Sequence, residues 1–255
     1  MSTLSVILIT CNESENIGPC LESVKWADEI VVVDGESADD TVTRASRFTD
    51  KVFIRPWLGY SENKNFALRQ ATGEWVFWLD ADERVPESLA AEIRRTIESD
   101  PSETGFEVAR KAFFLGRWIR HCGWYPGYVL RLFRREGARF DSRKVHEKLV
   151  VAGRIGRLAS ALLHYTDNSL EHYLWKFDRY TTLAASELTS RSRAAAWTGL
   201  LFRPWHTFIK MYLFRRGFLD GVPGLMLCLL SAGYVTIKYA KLWEIQRSAL
   251  TTTGG

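Results

Sequence analysis

Unbroken apolar runs alternate with mixed polar segments through residues 1–100. Leu4–Ile9, Ile30–Val33 and Trp75–Leu79 are short, rich in Val, Ile and aromatic residues, and bounded by polar residues. Runs of this kind predict strands buried on both faces. Lys51–Arg55 predicts a further short strand. Between the strands, Glu15–Val24, Thr41–Phe48, Ser61–Gln70 and Ser88–Glu98 predict helices, with Thr72-Gly73 closing the third and Pro86 just ahead of the fourth. Strand alternating with helix over short links predicts an α/β fold, a mostly parallel sheet with helices on both faces. After Pro101 the pattern loosens. Gly105–Arg110 and Val129–Phe133 predict strands, and Asn168–Leu188 carries a helical apolar stripe behind a capping box of Asn168 and Glu171.

Three polar clusters directly follow predicted strands: Thr10-Cys11-Asn12-Glu13, Asp34-Gly35-Glu36-Ser37 and Asp80-Ala81-Asp82-Glu83. In a parallel sheet these are all carboxyl ends, so they share the edge where open α/β sheets bind ligands. Asp80 and Asp82 are two residues apart. In an extended segment such side chains point to one side, and the two carboxylates repel unless a cation lies between them. Mg²⁺ or Mn²⁺, held by few carboxylates and by substrate phosphates, is the expected partner.

Charge sharpens the division. The chain of 255 residues has a net charge of +4. Residues 1–100 hold 10 Lys/Arg and 19 Asp/Glu, whereas residues 190–255 hold 9 and 2. An acidic half followed by a basic, aromatic half suggests a metal-dependent site and a part that meets an anionic surface. Arg203–Trp243 mixes Arg and Lys with Trp, Tyr and Phe around the uncharged stretch Gly221–Ile237. That stretch is short for a span, and it contains Gly221, Pro223, Gly224 and Gly233. One or two helices lying in a membrane interface are expected, and no nucleic-acid motif accompanies the charges. Trp124-Tyr125 before Pro126-Gly127 sets two aromatic side chains at a turn, where they can stack on a ligand.

Several classes are unsupported. Four scattered cysteines without CxxC argue against a disulfide framework or structural zinc, and fit a reducing compartment. The strand-like start lacks a basic leader. No GxGxxG, GxxxxGK[ST] or GxSxG follows a strand. A nucleotidyltransferase would also join nucleotide, sugar and metal, but its glycine-rich first loop is replaced by Thr10-Cys11-Asn12-Glu13. A noncatalytic membrane-binding protein would not need Asp80 and Asp82.

The blocks SVILITCNE (5–13), VVVDGESADDT (31–41), SENKNFALRQATGEW (61–75) and FWLDADE (77–83) resemble the family 2 glycosyltransferases. The later blocks CGWYPGYVLRLFRR (122–135), VHEKL (145–149) and GFLDG…KYAKLWE (217–244) resemble the branch that glycosylates lipopolysaccharide core. The resemblance implies a GT-A fold over residues 1–165, with a nucleotide-sugar part to about 110 and an acceptor part over 111–165. Residues 166–250 are then a helical, membrane-associating extension. It implies an inverting transfer from a UDP-sugar, UDP-glucose-like, to a lipid-linked or lipopolysaccharide acceptor, or to polyprenyl phosphate or another cell-surface glycan. The place would be the cytoplasmic, inner face of the cell membrane. Thr10, Asn12 and Glu13 would meet the nucleotide, Asp34 the uracil, and Lys64 the nucleotide or its phosphates. Asp80 and Ala81 would meet the donor, and Asp80 and Asp82 the metal. Two departures stand out: Gly35-Glu36 follow Asp34 where the family has Asp-Gly, and Cys11 replaces the usual Tyr. The family's catalytic base often comes from a downstream Glu-Asp pair, which is missing after residue 100. Glu147 is the expected substitute and Asp141 the alternative. His146 and His164 are candidates for a further metal or phosphate contact.

Overall fold

The computed structural model describes residues 2–141, 148–167, 169–188 and 193–251. It divides into two compact units, Met1–Lys111 with Gly127–His164, and Ala112–Pro126 with Tyr165–Gly255. Residues 112–126 thus group with the helical part of the chain.

The elements in chain order are β1 (Leu4–Thr10), α1 (Ser14–Glu22), β2 (Glu29–Asp34), α2 (Thr41–Ala45), β3 (Val52–Ile54) and α3 (Tyr60–Gln70). Then come β4 (Trp75–Asp80), β5 (Glu83–Arg84), α4 (Glu87–Glu98), β6 (Gly105–Phe114), β7 (Arg117–Trp118) and β8 (Gly127–Arg134). The series closes with β9 (Arg139–Phe140), β10 (Leu149–Val150), β11 (Ile155–Asp167), α5 (Leu170–Ser186), α6 (Arg193–Ile209) and α7 (Gly221–Thr251).

The main sheet runs β3-β2-β1-β4-β8-β6-β11-β5. Its first four strands are parallel. β1 is buried on both faces, which is why its run is unbroken: Leu4, Val6 and Leu8 join the core under α1 and α4, while Ile7 and Ile9 join the core under α3. The register sets Thr10 beside Asp34 and Ile9 beside Asp80. The polar clusters after β1, β2 and β4 therefore do share one edge. Beyond β4 the sheet continues antiparallel, through β8 on β4, β6 on β8 and β11 on β5. β9 and β10 form a separate antiparallel pair.

At the opposite, amino edge of the sheet, Glu29 is tied down by four donors. It accepts from the Thr72 N–H at 2.8 Å and the Thr72 hydroxyl at 2.9 Å, and also from the Ser5 hydroxyl and the Lys51 ammonium. Burial opposes its ionisation, but these partners outweigh burial and hold its carboxyl down to about 2. A carboxyl lowered on folding adds stability above its unfolded value near 4.3, and that stability drains as pH falls toward 2. Glu29→Gln is expected to cost about 3 kcal/mol in urea unfolding at pH 6 and almost nothing near pH 2. A gap between the two proteins that is the same at both pH values would refute this linkage.

In the second unit Phe114, Ile119 and Cys122 pack against Leu227 and Cys228 of α7. The Cys122 and Cys228 sulfurs are 3.7 Å apart, and all four cysteines are free thiols. Asp220, buried just before α7, accepts from the Arg120 and His121 N–H groups at 3.1 and 2.8 Å. α6 is followed by a π-turn, Lys210–Phe214, and a 3₁₀ turn, Gly217–Asp220. α7 then runs unbroken from Gly221 through its glycines. Pro223 falls in its first turn, where no helical N–H is lost, and Gly224 is required because a Cβ there would lie 2.2 Å from the Gly217 carbonyl. Among the described residues, Gly217–Ser248 is long and apolar enough to cross a membrane by length and composition. The capping residue Asn168 lies outside the described residues.

Candidate active site

The carboxyl edge of the first unit gathers six polar side chains around the end of β4, Lys64, Asp80, Asp82, Glu83, Arg131 and His164. Asp80 stands between two cations. Arg131 Nη2 lies 3.0 Å from its Oδ2, and Lys64 Nζ lies 3.8 Å from its Oδ1. Arg131 comes from the middle of β8 and is fully buried. The same Nη2 reaches Glu83 Oε1 at 2.5 Å, and Glu83 Oε2 accepts the Asp80 N–H at 3.0 Å. Both cations also rest on Trp78, with Lys64 Nζ 3.7 Å and the Arg131 guanidinium carbon 3.5 Å from its ring centroid. Burial works against a charged Asp80, but Lys64 and Arg131 outweigh it and hold the carboxyl well below the usual carboxylate range. The cation demanded by the Asp80–Asp82 spacing is thus supplied at Asp80 by the protein itself. Both Asp80 oxygens face positive charge.

Asp82 has a different partner. His164, set opposite Glu83 by the pairing of β11 with β5, places Nε2 3.3 Å from Asp82 Oδ2. Burial alone would lower the imidazole, but Asp82 reverses this and raises it above the ordinary histidine value. Among the described residues no three His, Cys, Asp or Glu side chains converge as a closed metal cage. A carboxylate oxygen beside an imidazole nitrogen, completed by phosphate oxygens, suits Mn²⁺, and the carboxylate with phosphate suits Mg²⁺.

The loops after β1 and β2 are buckled together. Asn12 is in the left-handed region at φ 55°. Its N–H donates to the Ser37 hydroxyl at 2.7 Å, and its Oδ1 accepts the Ala38 N–H at 2.8 Å. The Glu13 N–H donates to the Thr41 hydroxyl at 2.8 Å, while its own carboxylate accepts from Asn16. Thr10 is buried, and its hydroxyl oxygen has no hydrogen-bond partner among the described residues. Asp34 is fully buried and accepts from the Ser37 N–H and hydroxyl at 2.8 and 2.6 Å. Each Asp34 oxygen takes one bond from Ser37 and keeps acceptor capacity for a further donor. The Ala81 side chain is buried in the core, and its carbonyl accepts from Arg84 at 2.9 Å.

The β9–β10 pair is fastened to this site. Asn65, next to Lys64 on α3, makes two hydrogen bonds to the Phe140 main chain, at 2.8 and 2.9 Å. The Phe140 ring meets Trp78 edge-on at 5.8 Å. Asp141 accepts the Lys148 N–H at 2.8 Å. The expected base Glu147, with His146, lies outside the described residues. Trp124 and Tyr125 belong to the second unit, where Trp124 packs edge-on against Phe114 and Tyr125 against Trp118. Trp124 thus helps close that unit's core.

Arg131 and Trp78 belong to none of the three polar clusters in the sequence, and Glu83 stands there only as the last residue of the cluster after β4. The one signal for Arg131 was an arginine amid the apolar residues of VLRLF, a position that alternation buries.

Residues 5–148 match the family described as glycosyl transferase family 2. The chain belongs to that family. A lipopolysaccharide core biosynthesis glycosyltransferase of Rhizobium meliloti, LpsC, is 32% identical, over 97% of this chain and 93% of its own. An uncharacterized glycosyltransferase of Rickettsia conorii is 29% identical, over 97% and 91%. Among solved structures, S. aureus TarS is 18% identical with a TM-score of 0.50, over 96% of this chain and 55% of that one, and shows the same fold. The family 2 glycosyltransferase assignment and the GT-A fold implied by the blocks at 5–13, 31–41, 61–75 and 77–83 therefore stand.

Proposed function

We propose that this family 2 enzyme moves a sugar, with inversion, from a UDP-sugar to a lipid-linked glycan acceptor such as lipopolysaccharide core, at the inner face of the cell membrane. The observation that carries this is the arrangement at the end of β4: Asp80 neutralised by Lys64 and Arg131, beside an open Asp82–His164 pair. The likeness to LpsC over nearly the whole chain supports the acceptor class.

The chemistry follows from the charges. Cleaving a nucleotide-sugar bond leaves a diphosphate, while the anomeric carbon becomes cationic as in glycoside hydrolysis. The donor's diphosphate would lie by Asp82 and His164, which would hold Mg²⁺ or Mn²⁺ with it, and the ion supplies neutralisation of the leaving charge. Asp80, kept ionised by its two cations, can accept from the ribose hydroxyls. Arg131 and Glu83 fix its rotamer. The loop pair Asn12–Ser37 and Glu13–Thr41 forms the nucleotide side of the crevice. Glu147 takes the proton of the acceptor hydroxyl.

Donor choice provides the test. Asp34 carries a buried charge whose lost hydrogen bond costs about 1.5–3 kcal/mol, so GDP-sugars should bind roughly tenfold to a hundredfold more weakly than UDP-sugars by calorimetry with Mn²⁺. GDP binding as tightly as UDP would contradict the Asp34 assignment. Release of UDP during turnover separates glycosyl transfer from nucleotidyl transfer, which would release pyrophosphate.

A further inference from the structure

The outer face of α6 carries one row of large apolar side chains at four-residue spacing. Trp197, Leu201, Trp205 and Ile209 form it, and Leu213 and Phe214 continue it into the π-turn. All six are exposed, Trp205 at 70% and Phe214 at 79%. Phe202, beside the row, is 68% exposed. The other side of α6 is packed. Gly199 is buried so tightly on α7 that a Cβ would lie 2.3 Å from the Tyr239 ring, and Leu200 joins the Tyr239–Leu242 cluster. The helix has therefore satisfied its core contacts and still presents an aromatic row. Single exposed apolar residues are ordinary on a soluble surface, but a contiguous row marks an interaction face.

The charges beside the row indicate what covers it. Arg203, Lys210, Arg215 and Arg216 are all exposed, and no acidic residue occurs between Trp197 and Leu219. A second copy would bring like charge against like. An anionic bilayer offers acyl chains to the row and headgroups to the basic border. Tryptophan suits that boundary because its ring is apolar and its N–H is polar.

We propose that this face of α6 docks on an anionic lipid surface, with the helix lying in the plane of the interface. The inference rests on the membrane-linked acceptor reading and assigns its surface. It places insertion on α6 and not on the uncharged stretch Gly221–Ile237, because Leu227 and Cys228 of that stretch are buried in the unit's own core. It also keeps α7 out of a spanning role. α5 is fastened along α7, with the Tyr234 hydroxyl donating to the Tyr180 carbonyl at 3.1 Å and Lys241 paired to Asp178 at 2.6 Å. A spanning α7 would carry Lys176, Asp178 and Arg179 of α5 with it into hydrocarbon, where charged side chains are costly.

Cosedimentation of the full chain with vesicles tests this, using phosphatidylglycerol mixed into phosphatidylcholine against phosphatidylcholine alone. Binding is expected to the anionic vesicles, weaker but still present in high salt. The double variant F202S/W205S should lower partitioning about tenfold or more, since two large apolar side chains leave the interface. Leu229→Ser, on an exposed position of α7, should leave partitioning unchanged. All three positions are exposed, and thermal unfolding should match the unsubstituted protein.

Loss of binding in Leu229→Ser but not in F202S/W205S would overturn the assignment in favour of α7. No vesicle binding, with self-association in ultracentrifugation that F202S/W205S disperses, would make the row a contact between copies. Vesicle binding without any UDP-sugar turnover would leave this inference standing and sink the UDP-sugar donor reading. The reverse result would sink this inference alone.

Discussion

Replacing Glu147 with Gln should lower sugar transfer by about 10²–10⁴ while leaving UDP-sugar affinity nearly unchanged, because a positioned general base contributes on that scale. The substitution keeps size and hydrogen bonding but removes the ability to take a proton. Donor affinity is expected to survive because the donor-side groups sit on β1, β2, α3 and β4. Phe140 is clamped by Asn65, one residue from Lys64, and Asp141 and Lys148 close on each other across the intervening segment. Single-turnover transfer, read beside UDP-sugar calorimetry, separates the two quantities. If Asp141→Asn produces the loss and Glu147→Gln does not, the base is Asp141. If neither does, the proton leaves by another route and the assignment falls.

The parallel half of the sheet was legible because burial on both faces leaves no polar interruption. β1 lies between two cores, so its sequence admits only apolar residues until Thr10, and the same holds for β2 up to Asp34. Reading those ends onto one edge needed only the handedness and order of strand–helix–strand units. The antiparallel half was harder to read. β8 carries a buried arginine in its middle, and that charge makes sense only beside Asp80 and Glu83, about fifty residues earlier in the chain. Local pattern cannot reveal such a pairing.

Two arrangements lay beyond local pattern for related reasons. Spacing brought Asp80 and Asp82 together, but it could not show that Lys64 and Arg131 had already claimed Asp80, leaving Asp82 to His164. Composition showed that residues 190–255 are basic and aromatic. It could not show that α7 turns Leu227 and Cys228 inward while α6 turns Trp205 outward. The break between those helices carries little local signal, because Arg216 takes the left-handed conformation at φ 53° that glycine would normally mark.

Asp82→Asn should remove the Mn²⁺ dependence of donor binding and cut transfer by about 10²–10³, since neutralising a leaving diphosphate is worth several kcal/mol. The fold should survive, because Asp82 is half-buried at a strand end and Asp80 keeps both its cations when Asp82 is neutral. Asp80→Asn should behave differently. It leaves Arg131, fully buried, with Glu83 as its remaining carboxylate, so a loss of thermal stability should accompany the loss of transfer. His164→Ala should weaken Mn²⁺-dependent UDP affinity by about 10–100-fold, the usual scale for losing one supporting contact at a metal. The decisive comparison is UDP calorimetry with Mn²⁺ and with EDTA across the three variants. Equal UDP affinity and equal turnover in EDTA for the unsubstituted protein would eliminate the metal, and Lys64 with Arg131 would then be the groups that neutralise the diphosphate. A metal effect lost in Asp80→Asn but kept in Asp82→Asn would return the ion to Asp80, against the geometry that places two protein cations there.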